Sequence, residues 1–467
     1  MSTISSNTDT LSPGLKSRHI RMLSIGGVIG AGLFVGSGHA IAEAGPAVLI
    51  AYLIAGALVV LIMRMLAEMA VSSPDSGSFS TYAHSALGRW AGFTIGWLYW
   101  WFWVLVIPLE ANAAATILNS WFPQVAIWQF TLAITLVLTI SNLFSVKNYG
   151  EFEFWLALVK VAAIVAFLVL GCVAIFGLMP DSEVSGMSHL YDSGGFMPHG
   201  FGAVLAAILT TMFSFMGTEI VTIAAAESKN PGKEISKATN SVIWRIALFY
   251  LLSILFIVSL VPWNTPDLAT KGSYQTVLEM MNIPHARLIV DIVVLTAVCS
   301  CLNSALYTSS RMLYSLATRK DAPAAAAKTS RSGTPRVAVL LSTAMAFLAV
   351  FANYVAPAEV FNFLLASSGA IALLVYLVIA CSQLVMRKRM EARDEVPDFK
   401  MWLFPGLTWF VIVVIAGILG SMLFMPDHRI EIIATGILAL LVVLTGLALH
   451  HRQRSSRRFT ETRRSGA

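Results

Sequence analysis

Charge is scarce in this chain. Of 467 residues only 12% are Asp, Glu, Lys or Arg, whereas 57% are hydrophobic. Soluble globular domains carry about twice that charged fraction. A soluble chain of this length would make about three domains, and the polar residues needed to coat three cores are missing. Disorder is excluded as well, because it requires low hydrophobicity together with high net charge. Cysteine is equally sparse. Cys172, Cys299, Cys301 and Cys381 lie inside apolar runs without CxxC or metal-ligand spacing, so neither a disulfide framework nor a structural metal is expected. Cys299 and Cys301, two apart, read as packing thiols. HExxH, GxSxG and clustered His/Cys/Asp sets are also missing, which leaves no constellation for an enzyme. No cofactor is called for.

Long apolar runs are what the chain does have. A membrane-crossing helix needs about 20 predominantly apolar residues. Twelve such segments can be drawn, at 20–42, 47–70, 91–118, 125–145, 153–177, 201–225, 239–262, 286–316, 336–354, 358–386, 402–424 and 429–450. The expectation is an all-α integral membrane protein with 12 transmembrane helices. Residues 1–19 form a polar tail, 20–450 a single transmembrane domain, and 451–467 an Arg- and Ser-rich tail, unfolded or lying on anionic headgroups. The stretch 25–42 has the look of a signal peptide, but its long polar flank and the eleven spans after it argue against removal.

A net charge of +6 is compatible with nucleic acid, but the positions of the charges decide otherwise. Of the 31 basic residues, all but Lys160, Lys271, Arg287 and Arg429 fall in the N-terminus, the even-numbered loops and adjoining helix ends, or the C-terminus. That bias predicts both termini in the cytoplasm. Nothing calls for an obligate protein partner.

Two spans are interrupted. The first contains Ser24-Ile-Gly-Gly-Val-Ile-Gly-Ala-Gly-Leu-Phe-Val-Gly-Ser-Gly38, six glycines in one window. Each costs a helix about 1 kcal/mol. A helix unwound near Ile29–Gly32 would expose free N–H groups and the positive end of its second half, which suits a carboxylate at mid-membrane. The competing reading is close helix packing through Gly26-x-x-x-Gly30 and Gly32-x-x-x-Gly36. The sixth span reads Thr211-Met-Phe-Ser-Phe-Met-Gly-Thr-Glu-Ile220 and places a carboxylate, Glu219, in an apolar stretch. Interruptions at matching places in spans one and six are the mark of two inverted repeats.

Gly27-Val-Ile-Gly-Ala-Gly-Leu-Phe-Val-Gly36, Glu43-Ala-Gly-Pro46 and Phe213-Ser-Phe-Met-Gly-Thr-Glu219 resemble the amino acid–polyamine–organocation superfamily. Arg64–Ala70, Gly77–Tyr82 and Gly96–Trp103 resemble its bacterial amino acid permeases, and Ser145–Trp155 and Ser300–Tyr307 the members that carry 4-aminobutyrate. The likeness spans about residues 14–450. It implies a five-plus-five inverted-repeat, LeuT-like fold, with repeats at about 20–177 and 201–386 and two added helices at 402–424 and 429–450. The implied activity is proton-coupled import of 4-aminobutyrate and related zwitterionic amino acids by alternating access across the bacterial inner membrane. The alternatives are a permease of the same fold for aromatic, neutral or basic amino acids, or a non-transporting sensor.

The resemblance also implies a site. The substrate carboxylate would meet the amides of Gly30, Ala31 and Gly32, and its ammonium the carbonyls of Val28, Phe213 and Met216. Phe213 is expected as an aromatic lid, with Ile29, Ser214, Phe215, Gly217 and Cys301 around the same pocket. Glu110, after Pro108 in the third span, is open to the substrate's ammonium or to a neighbouring Arg. Lys160 is a lone cation deep in the fifth span. In the resembling permeases a lysine there replaces a sodium ion between the first and eighth helices, and Ser300, Ser304 and Thr308 are expected to receive its ammonium. Glu219 is the carboxylate expected in the proton pathway. Glu153, seven residues before Lys160, reads equally as a gate and as a solvated edge. Glu227 with Arg245 reads as a cytoplasmic gate network.

Overall fold

In a computed structural model the chain is described at residues 15–465, apart from 145, 180–181, 267, 331–332, 356 and 426–428. The N-terminal residues 1–14, and with them most of the expected tail, lie outside the described residues, as do Asp181 and His428.

The described elements are helical. The first apolar segment is divided into α1 (Ser17–Gly26), α2 (Ala31–Phe34) and α3 (Gly36–Ala44). α4 (Val48–Ser72), α5 (Ser78–Leu87), α6 (Arg89–Trp121), α7 (Ile127–Asn142) and α8 (Val146–Ile175) complete the first half. The second half opens with α9 (Gly200–Phe215) and α10 (Ile220–Ala226), again parts of one apolar segment. α11 (Pro231–Arg245) passes through a π-helical turn, Ile246–Leu252, into α12 (Ser253–Leu260). α13 (Leu268–Lys271) and α14 (Ser273–Met280) are short; α15 (Ala286–Thr318), α16 (Arg336–Val355) and α17 (Pro357–Glu391) are long. α18 (Gly406–Met422) and α19 (Arg429–Ser465) close the chain. Because α19 runs to Ser465, the Arg- and Ser-rich residues, expected to be unfolded or to lie on anionic headgroups, are helical and continue the last span. Among the described residues, eight helical segments are long and apolar enough to cross a membrane.

Helices are what a chain without nearby water must use, because every backbone N–H and C=O is then satisfied within the segment. The outer faces agree with that setting. On α8, Trp155, Leu158, Val159, Val165 and Val169 are exposed, and on α19 so are Ile437, Leu440, Leu441 and Leu444. The interior carries the charges: Glu68, Glu110, Glu153, Lys160, Glu219, Glu227 and Arg311 are all 0–3% exposed. Charged groups buried in an apolar bundle are costly and mark function.

Packing brings the two divided segments together at the centre. α1 lies along α8, α2 and α3 against α9, and α6 along α15. Close approach explains part of the glycine run. A Cβ on Gly26 would collide with Ala157 of α8, whereas one on Gly32 would sit 2.8 Å from Ser214 Cα. Gly217 has φ +108° and lies against the Gly27 carbonyl, so a glycine serves both the backbone and the contact there.

Candidate functional site

The site forms where helical hydrogen bonding lapses, between Gly26 and Ala31 and between Phe215 and Ile220. Around it lie Val28, Gly30 and Gly32 from the first lapse and Phe213, Ser214 and Met216 from the second. Phe102, Trp103, Val106 and Glu110 of α6 and Cys301 of α15 complete the lining. Ile29, Phe215 and Gly217, expected here, face elsewhere. The Ile29 carbonyl accepts from Lys160, Phe215 packs on Tyr52 and Tyr250, and the Gly217 N–H donates to Glu219. The free space is about 10 Å³, roughly one water. A separate vestibule of about 900 Å³ is lined by Phe34, Val35, Asn112, Ala113, Tyr274 and Asp291, with Val35 and Asn112 three and two residues along the chain from Gly32 and Glu110 of the site.

Of the three first-segment amides, Ala31 has a partner. Its N–H donates to both oxygens of Glu110, at 3.2 and 3.1 Å. Glu110 therefore meets neither an arginine nor, in this arrangement, a carbonyl-lined ammonium seat. A Cβ on Gly30 would come within 2.7 Å of Glu110 Oε1 and 2.9 Å of Cys301 Sγ, so Glu110, Gly30 and Cys301 are in mutual contact.

Lys160 is completely buried, and its ammonium donates to the carbonyls of Gly26 and Ile29, the latter at 2.9 Å. The Gly26 carbonyl, which also accepts from the Ile29 N–H at 3.2 Å, and the Ile29 carbonyl both lie at the lapse, so the lysine binds the broken end of α1 directly. The expected acceptors on α15 do not receive its ammonium. Ser300 donates to Glu153, Ser304 bonds Tyr149 at 3.2 Å, and the Thr308 hydroxyl has no hydrogen-bond partner among the described residues. Glu153 is buried, not a solvated edge, and Asn303 also donates to it at 3.5 Å.

The second lapse is closed by its own carboxylate. Glu219 accepts from the Gly217 N–H at 3.0 and 3.1 Å and from Tyr99 at 2.7 Å. Glu227 and Arg245 do not meet: Arg245 donates to the Ala238 carbonyl at 3.3 Å, while Glu227 pairs with Arg311 at 3.1 Å and accepts from Tyr307 at 2.8 Å. Arg245 lies on α11, whereas Arg311 on α15 extends over the Tyr307 ring, which stacks on Tyr149 with centroids 4.3 Å apart.

Two residues of this centre were not expected. Arg311 carries the same signal as Lys160, a cation within an apolar span. Tyr250 gave none, sitting among Ile246-Ala-Leu-Phe-Tyr-Leu-Leu252, yet its hydroxyl lies 3.2 Å from the Val28 carbonyl and 3.0 Å from that of Ser214. Ser214 in turn donates to the Gly32 carbonyl at 2.7 Å. The two lapses are thus stitched to each other.

Paired helix interruptions around one small central site in an apolar bundle are the features of a membrane transporter. Solved structures share the fold: those of a manganese transporter from Eremococcus coleocola align with TM-score 0.59 and 14% identity over 93% of this chain and 92% of theirs. The chain belongs to the amino acid permease family, whose "Amino acid permease" profile matches residues 19–460. It is 67% identical to a probable GABA permease of Pseudomonas aeruginosa over 94% of this chain and 92% of that one. It is 68% identical to the gamma-aminobutyric acid permease of Escherichia coli (94% and 95% covered), and 42% to an aromatic amino acid transport protein of Corynebacterium glutamicum (97% and 98%).

Proposed function

We propose that this permease imports 4-aminobutyrate together with protons, by alternating access across the bacterial inner membrane. The observation that carries the reading is the Ala31 N–H at the start of α2, directed at a carboxylate in the buried central site. Helix N-termini favour anions, and in a low-dielectric site such a donor is worth far more than in water. The relatives named for 4-aminobutyrate, alike over nearly the whole chain, supply the substrate. The chain crosses twelve times with both termini in the cytoplasm, as five plus five inverted spans and two more.

The proton takes the part a sodium ion would otherwise play. Lys160 bonded to the Gly26 and Ile29 carbonyls is a cation that holds the broken end of α1 against α8, and loss of its proton frees that end. Phe213 closes the substrate in, and the Glu227–Arg311–Tyr307 cluster bars the cytoplasmic side until the bundle turns.

Purified protein in liposomes tests this. Uptake of 4-aminobutyrate is expected to follow an inward proton gradient, to ignore sodium, and to be competed weakly by alanine, lysine and phenylalanine. Lys160→Ala is expected to insert normally and to lose uphill accumulation at least tenfold. A sodium requirement, or full accumulation by Lys160→Ala, would reject the coupling. Preference for α-amino acids would reject the substrate and leave the family intact.

A further inference from the structure

The central site already holds a carboxylate, and that carboxylate belongs to the protein. Glu110 is 1% exposed, its two oxygens share the Ala31 N–H, and the space left beside it is about 10 Å³. A substrate carboxylate and the Glu110 carboxylate need the same donor, and the cavity has no room for both. We infer that Glu110 is an internal competitor for the substrate's seat: it fills the site when empty, and each incoming carboxylate must displace it.

The displaced side chain has to give up charge or find another donor. A carboxylate in an apolar interior without hydrogen bonds costs several kcal/mol and neutralises instead. Few groups facing Glu110 can relieve it. The α2 and α9 residues of the site, Gly32, Phe213 and Ser214, carry no charge. From α15 come the thiols of Cys301 and Cys299, and from α8 the Lys160 ammonium, which is committed to the Gly26 and Ile29 carbonyls. On its own helix the lining neighbours are Phe102, Trp103 and Val106. Two and three residues further along α6, Asn112 and Ala113 line the vestibule.

Displacement therefore takes one proton from vestibule water onto Glu110 as the substrate's anion takes over the Ala31 N–H. When substrate leaves on the far side, Glu110 surrenders the proton there and recaptures the amide. Charge at the seat stays at one throughout, and Glu110 carries one proton with each substrate. This is a second titrating group beside Lys160. The lysine acts on the α1–α8 contact, whereas Glu110 acts at the substrate's own position. The inference rests on the first lapse being the carboxylate site.

Binding of radiolabelled 4-aminobutyrate to the purified full chain between pH 5.5 and 8.5 tests it. One linked proton weakens binding about tenfold per pH unit on the alkaline limb. Glu110→Gln, which cannot hold the charge, is expected to flatten that slope and to bind at least tenfold tighter than the native protein at pH 8.5. Calorimetry of the native chain in two buffers of different ionisation enthalpy is expected to show about one proton taken up per substrate, independent of how the variant folds. A native-like slope in Glu110→Gln, weaker binding of that variant at every pH (the result if Glu110 held the ammonium), or no proton uptake by the native chain would overturn the inference. Competition by 4-aminobutyramide, which lacks the anion, separates the underlying reading. If it competes as well as 4-aminobutyrate, the carboxylate site itself is misplaced, whatever Glu110 does.

Discussion

The two helix interruptions look alike along the chain and differ in how they are satisfied. At the first, the donor at Ala31 and the acceptors at Gly26 and Ile29 are served by side chains from other helices, Glu110 of α6 and Lys160 of α8. At the second, Gly217 is served from two residues away by Glu219, itself fixed by Tyr99. A break satisfied from outside can exchange partners when neighbouring helices move. A break whose amide is served by its own carboxylate is the stiffer of the two. The first is suited to receive cargo and the second to carry motion past it, so substitutions at the two should fail in different ways.

The sharpest contrast is expected at Gly32. A Cβ there meets Ser214 Cα at 2.8 Å and the Phe213 ring at 3.0 Å, and Gly32→Leu is expected to abolish 4-aminobutyrate binding, more than 100-fold, with the protein still inserted. Normal binding by Gly32→Leu would make the first interruption a packing device. A smaller effect is expected at Glu219. Glu219→Gln keeps an acceptor for Tyr99 and Gly217 but exchanges charge-assisted for neutral hydrogen bonds, about 1 kcal/mol of stability. Melting of the purified variant should drop by a few degrees while transport stays within about tenfold. Collapse of transport with an unchanged melting point would instead put Glu219 in the proton pathway. The smallest effect concerns Cys301, in contact with the first interruption. Saturating 4-aminobutyrate should slow its modification by a membrane-permeant thiol reagent several-fold and leave exposed Cys172 unaffected. Equal rates at Cys301 with and without substrate would detach it from the substrate's route.

How far the sequence could be read follows from the same contrast. Composition and the run of glycines were enough to mark an apolar helical bundle and to locate the first interruption, because a glycine cluster is expensive in any continuous helix. Lys160 and Glu110 stood out because charge in an apolar run needs a reason. Partners were another matter. Arg245 is the expected partner of Glu227, nearby along the chain, but Glu227 pairs with Arg311, from a helix more than eighty residues later. For Lys160 the hydroxyls of α15 are the expected acceptors, but the Gly26 and Ile29 carbonyls at the break of α1 take its ammonium instead. Glycines of one motif also parted company: Gly26 serves contact with α8, and Gly30 and Gly32 serve the site. Spacing along a helix says which face a residue occupies, and only the fold says what stands opposite.

The π-helical turn between α11 and α12 sets the phase of Tyr250. A residue added to a helix turns everything beyond it by about 100°, and a π turn absorbs that extra step locally. Tyr250 sits inside Ile246–Leu252 and reaches carbonyls of both interruptions at once. The helix is a screw whose thread skips once. Before the skip it is indexed to Arg245 and the Ala238 carbonyl, and after it to Phe256, which packs on Gly171 of α8. Only a skipped thread lets one rod hold both registers and still present a hydroxyl to the centre.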